Sequence, residues 1–250
     1  MDELLLRGYV TPDDCGGDVQ AALDLAEKLD IRKVVLEQDY TCQQPLVIPA
    51  CTHLVLKKTL KADLQSKKLS NYNSEQDRIY IEGVGAGKII GKLYFYNTRR
   101  VIIERMYIRG GVTYEFSRDM RMEDCTIVGS IQVGRGCANS IFQNLVTGSF
   151  VISNGVFSGD IVPGKEPDIK NIVLRRSMLT SGSVQLLAEE DCGMFNIQAD
   201  EIKAAQKAVI VGREGQELPC ERYFNLTFEA LDAPEKLTCY NQVKHAYINI

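Results

Sequence analysis

The residues able to do chemistry in this chain are mainly carboxylates and arginines. Arg105, Arg118 and Arg121 share one stretch with Asp119, Glu123 and Asp124. Brought together from neighbouring turns, such carboxylates could act as acid and base or ligate calcium. A second set, Asp160 and Asp168 in "SNGVFSGDIVPGKEPDIKN" and Glu189, Glu190 and Asp191 in "LLAEEDCG", offers paired carboxylates for hydrolysis. Glycosidases hold such pairs about 5 to 9.5 Å apart, which linear spacing does not set. Charged residues at turns are ordinarily solvated surface, so neither set establishes a reaction. Tyr94, Tyr96, Tyr107 and Tyr114 could stack on sugar rings, although tyrosine in strands more commonly packs. With Asp168 in the long insertion, they are the candidate ligand-binding residues, because solenoids tend to bind through insertions on one face.

Several classes are disfavoured. The net charge is -4 and the cations are scattered, so no basic footprint exists for nucleic acid. "MDELLLRGYV" is too short and acidic for a secretory segment, and no run of eighteen apolar residues occurs, so a cytoplasmic or virion-associated protein without a membrane span is expected. The cysteines, at 15, 42, 51, 125, 137, 192, 220 and 239, form no CxxC pair and have no histidine set beside them, which argues against zinc. Several stand where an apolar residue belongs, as Cys125 does in "MRMEDCTIVGS", and are read as reduced, packed thiols. "GVGAGKIIGK" lacks the hydroxyl residue after Lys88 and leads into strand-like "KLYFY", so it is not a phosphate loop. Asn225-Leu226-Thr227 matches a glycosylation acceptor by composition alone.

The elements that must position these residues repeat. "VIIERMYIRGG", "MRMEDCTIVGS", "SIFQNLVTGS", "IVLRRSMLTSGS" and, more loosely, "ERYFNLTFEA" each read strand, polar corner, strand, small residue. The corners are placed at Arg105, Asp124, Asn144, Arg176 and Asn225, with one degenerate turn near "MFNIQADEI". A period of about twenty residues signals a solenoid, and apolar residues alternating on both sides of the corner predict two short strands per turn with inward side chains. Leucine-rich repeats lack support, since no LxxLxLxxNxL run occurs. Asp18 predicts an N-cap for a helix with Ala22, Leu23, Ala26 and Leu29 on one face, covering the first coil. "AYINI" predicts a closing strand.

This pattern resembles the pectate-lyase-like right-handed parallel β-helix superfamily, including its phage tailspike and polysaccharide-depolymerase branch. The resemblance rests on Asp18, Ala21 or Ala22, Leu23 and Ala26 in a "D-x-x-A-L-x-x-A" helix, then Tyr40, Pro45, Leu46, Ile48 and Pro49 in "KVVLEQDYTCQQPLVIP", "THLVLKK", and the glycine-rich "IYIEGVGAG". It implies an all-β, right-handed parallel β-helix of roughly eight coils with an N-terminal capping α-helix. Residues 1–32 would form the capping segment and 33–250 the solenoid. Catalytic relatives use clustered aspartates, or calcium-binding carboxylates with an arginine base. The polygalacturonase signature is missing here: His53 and His245 lie outside any Gly-His-Gly, and the Asp13-Asp14 pair precedes the helix. The expectation is therefore a non-catalytic module, phage or prophage derived, that binds a polysaccharide or a protein partner. The alternative is a lyase or hydrolase using Arg105, Asp119, Asp124 and Asp160, and calcium enters only there. A homotrimer is compatible with the resemblance.

Overall fold

In the computed structural model, residues 2–67, 76–153, 155, 157, 169–187, 194–215, 223–240 and 245–249 are described. They form the expected right-handed parallel β-helix: every strand pairing is parallel, and each strand lies beside its counterpart in the next turn. The first face stacks Lys33–Leu36, His53–Leu56, Gln76–Gly83, Thr98–Glu104, Arg121–Glu123, Ser140–Gln143, Ile169–Leu179, Met194–Ala204, Tyr223–Glu229 and His245–Asn249. Among the described residues the registers give nine turns and a tenth first-face strand, one turn more than the roughly eight expected.

Three side-chain patterns make the turn. Inward residues alternate with outward ones, so Leu54, Ile81, Ile103, Met122, Phe142, Leu174, Ala199 and Phe228 are all buried in one column. Each inward Leu, Ile or Phe contributes roughly 1.5–3 kcal/mol on burial, far more than the screened ion pairs outside, so these columns decide the fold. The corner after the first face uses a residue with positive φ on successive turns: Arg105, Asp124, Asn144, Arg176, Glu201 and Ala230. Four of the five expected corners are met, and Glu201 supplies the degenerate one inside "MFNIQADEI". Asn225 is not a corner. It lies within Tyr223–Glu229, and the turn comes at Ala230, where the alternation ends.

The small residue after each second strand has a steric cause. A Cβ on Gly110 would sit 2.1 Å from the Gly91 carbonyl oxygen, and one on Gly129 would sit 2.3 Å from that of Gly110. The backbones of successive turns touch there, and only glycine lets them.

The N-terminal edge is closed, as a stack of strands requires. Asp18 accepts from the Ala21 N–H at 3.0 Å and caps α2 (Val19–Lys28), which follows α1 (Asp2–Arg7). Helix α2 buries Val19, Ala22, Leu23 and Ala26, whereas Leu29, expected on that face, is only half-buried at the C-cap. The Gln20 amide donates to the Val47 carbonyl at 3.1 Å and accepts from its N–H at 2.8 Å, standing in for a neighbouring strand. Val10 does the same for the first face, through Val10 N to Lys33 O and Val35 N to Val10 O, both 2.9 Å. One hydrophobic core runs from Val10 to Leu231. Among the described residues no helix is long and apolar enough to cross a membrane.

Candidate functional site

The outward side of the first face carries two different surfaces end to end. Its N-terminal half is ionic. The registers place Glu82, Glu104 and Glu123 on consecutive rungs, about 4.8 Å apart along the stack. Their side chains are sheltered, with 20%, 20% and 12% exposed. Every one is engaged by its neighbours. His53 Nε2 lies 2.9 Å from Glu82 Oε2, with the His53 ring stacked on Tyr80 at 4.4 Å. The Tyr80 hydroxyl donates to Glu104 at 3.0 Å, and Arg105 spans Glu82 and Glu104. Arg121 grips Glu123 with two bonds of 2.5 and 2.7 Å, and Gln143 donates to the same carboxylate at 2.6 Å.

The titration of this network follows from its geometry. Burial pushes the Glu82 carboxyl up, but hydrogen bonds from His53 and Arg105 outweigh it and leave the group below the ordinary carboxylate range. The Arg105 guanidinium is pushed up, first by its hydrogen bond to Glu82, and Arg121 likewise by Glu123. An arginine held in its charged form this way is a poor proton abstractor.

The C-terminal half carries an amide-rich groove instead. A groove of about 620 Å³ runs over the rungs of Ser140–Gln143, Ile169–Leu179, Met194–Ala204 and Tyr223–Glu229. Along one side Asn139, Asn171, Asn196 and Asn225 occupy the same position of successive rungs. Asn171 Nδ2 donates to Asn139 Oδ1 at 3.0 Å, and Asn196 Nδ2 donates to Asn171 Oδ1 at 2.8 Å. Two residues further along each strand, Ile141, Val173, Gln198 and Thr227 point outward as the floor, Ile141 being 44% exposed. Among the described residues that line it, none is ionisable.

The residues singled out from the sequence are dispersed. Arg105 joins the ionic half, but through Glu82 and Glu104. Asp124 sits at the corner and accepts from Asn144 Nδ2 at 2.8 Å. Asp119 is at the opposite end of its strand, paired with Arg99 at 3.2 Å. Asp160 and Asp168, like Glu189, Glu190 and Asp191, lie outside the described residues. Tyr94 and Tyr96 are half-buried on the outside of the third face, where the Tyr94 hydroxyl donates to buried Glu115 at 2.7 Å and Tyr96 meets Phe116 edge-on at 5.5 Å. Tyr107 is exposed on the second face beside Lys88. Tyr114 corrects the expectation of a ligand contact: it is 0% exposed and packed inside the solenoid between Phe95 and Phe142, because its place in the alternation points inward. Among the described residues no cluster of three His, Cys, Asp or Glu side chains is placed to hold a metal ion. The described cysteines are free thiols, Cys125 and Cys137 buried among them, while Cys192 and Cys220 lie outside the described residues.

The groove asparagines were not anticipated, although a signal exists. "NSIF", "NIVL", "NIQA" and "NLTF" begin at 139, 171, 196 and 225, each an asparagine followed by an inward, an outward and an inward residue. Alignment on the polar corners hid it, by equating Asn225 with Asn144.

No family model matches the chain, and no curated protein matches it in sequence. Among solved structures, a mutant tailspike protein of E. coli bacteriophage HK620 in complex with a pentasaccharide is similar, with a TM-score of 0.60 at 10% identity. The match covers 99% of this chain but only 60% of the tailspike chain. Two structures of the surface adhesin PfbA of Streptococcus pneumoniae match with TM-scores of 0.42 and 0.43, at 9% and 11% identity, over 96% of this chain and 99% and 91% of theirs. The tailspike similarity is one of fold, and it agrees with the parallel β-helix read from the registers.

Proposed function

We propose that this β-helix is a non-catalytic module that binds a carbohydrate through the C-terminal half of its first face. One observation carries the proposal: an open groove of about 620 Å³ whose described lining consists of amides, short hydroxyls and two outward aliphatic side chains, with no carboxylate among those residues. Amides donate and accept at once, as sugar hydroxyls require, and aliphatic side chains suit the C–H faces of the ring. That the HK620 tailspike, a solenoid of the same fold, holds a pentasaccharide supports the choice of ligand class without fixing it.

The enzyme reading has one favourable feature, the glutamates on consecutive rungs, whose step of about 4.8 Å is near the separation of a retaining glycosidase pair. Against it, Glu82, Glu104 and Glu123 are each bonded to a cation or an amide of the same face. The test is a glycan array on the purified protein with mass spectrometry of every hit, in parallel with Asn225→Ala. Bound, unchanged glycans lost in Asn225→Ala are expected. Shortened or unsaturated products would transfer the function to the glutamate row, and an empty array would remove the carbohydrate and leave a protein partner.

A further inference from the structure

Resting on the groove as the binding site, we propose that its ligand is an uncharged linear glycan laid parallel to the solenoid axis, its sugar units stepping from rung to rung. The direction follows from the asparagine ladder. Asn196 donates to Asn171 and Asn171 to Asn139, so the amides lean the same way and use one N–H of each donor and one lone pair of each acceptor. Each amide keeps the N–H groups and lone pairs that these bonds do not use, except that Asn196 Nδ2 also donates to Met194 Sδ at 3.4 Å, and the asparagines recur about every 4.8 Å along the axis. At the far end Asn225 is exposed and makes no side-chain bond to the described residues. A polymer lying along the axis meets four asparagine amides in line. One lying across it meets a single asparagine and then leaves the floor.

The charge class follows from the surroundings. An acidic glycan would bring carboxylates over amides and over the side chains of Ile141 and Val173, with no cation among the described lining residues to replace the lost water. Two residues beyond the floor, the next outward column carries Gln143, Arg175, Asp200 and Glu229 on successive rungs, one cation against two acids. One rung before Ile141 stands Arg121, whose guanidinium is already occupied by both oxygens of Glu123. Among the described residues the charges around the groove thus offer an anion no excess of positive charge, and the groove itself rewards hydroxyls.

Two experiments test this. On an array of neutral, uronic-acid and sialylated glycans, hits are expected among neutral linear glycans, weakened at least about tenfold by Asn225→Ala. Val173→Lys, an outward change that leaves the core alone, should shift selectivity towards uronic-acid glycans. A length series of the strongest neutral hit, titrated by calorimetry, should gain affinity up to about four units, one per asparagine rung, and then level off. Acidic hits abolished by Asn225→Ala would keep the groove and overturn its charge class. Affinity complete at one or two units would overturn the axial placement. Hits indifferent to Asn225→Ala and Val173→Lys would remove the groove as the site altogether.

Discussion

Replacing Tyr114 by phenylalanine should make the protein more stable. Tyr114 is 0% exposed, its ring stacked on Phe95 at 5.3 Å and edge-on to Phe142 at 6.1 Å, and its hydroxyl is the buried side-chain atom for which the described protein offers no hydrogen-bond partner. Burial holds its ionisation well above the ordinary phenol value, so the group is a neutral, unmet hydroxyl at every accessible pH. Such a group costs about 1–3 kcal/mol relative to an apolar one of the same shape, and phenylalanine keeps every ring contact while removing it. A gain of about 1–2 kcal/mol is expected. For a chain of 250 residues each kcal/mol moves the melting midpoint by roughly 2–4 °C, giving an increase of about 2–8 °C. Urea unfolding should show a higher midpoint at unchanged slope, because the surface exposed on unfolding does not change. Tyr114→Ala serves as the control and should cost about 3–5 kcal/mol through the cavity left among the rings. A Tyr114→Phe protein less stable by 1 kcal/mol or more would show that the hydroxyl is bonded after all and refute the reasoning. Unaltered glycan binding in Tyr114→Phe is also expected, since the residue cannot reach a ligand.

Gly110→Ala should destabilise by at least the roughly 1–3 kcal/mol of an overpacked core, because its Cβ meets the Gly91 backbone at 2.1 Å and no side chain can yield; thermal melts check this. Glu82 titrates below its ordinary value of 4.5, so its contribution to stability is complete above that pH and is lost as pH falls through the lower folded value; Glu82→Gln should flatten the acid limb of the melting midpoint plotted against pH. Cys51 is exposed, whereas burial pushes the Cys125 thiol up to about 12, so alkylation followed by mass spectrometry should label Cys51 in the native protein and Cys125 only after unfolding. Disrupting the edge cover with Gln20→Ala leaves the Val47 N–H and carbonyl without that partner, and faster amide exchange at Val47 is expected with the rest of the solenoid intact.

The β-helix was legible in the sequence because its determinants are local and repeated. Alternation around Cys125 and Ile127 sets which side chains point inward, the corners at Arg105, Asp124, Asn144 and Arg176 repeat one strand, corner, strand pattern, and Asp18 announces the capping helix within four residues. Each of these needs only a residue and its near neighbours in the chain. The site depends on something else: which residues of different turns lie side by side. Insertions of unequal length separate Asn139, Asn171, Asn196 and Asn225, so no fixed period relates them, and only the rung-to-rung hydrogen bonds set the register that stacks them into a ladder. The same register draws Arg105 to Glu82, 23 residues away, rather than to Asp124 nearby in sequence. Tyr114 points inward in Val112–Glu115 and Tyr107 outward in Tyr107–Arg109, a difference of parity in two separate strands that residue type does not reveal. Composition and pattern thus determined a parallel solenoid with a covered N-terminal edge. The backbone ladder between turns, summed over nine turns of non-local pairing, decided which of its side chains meet.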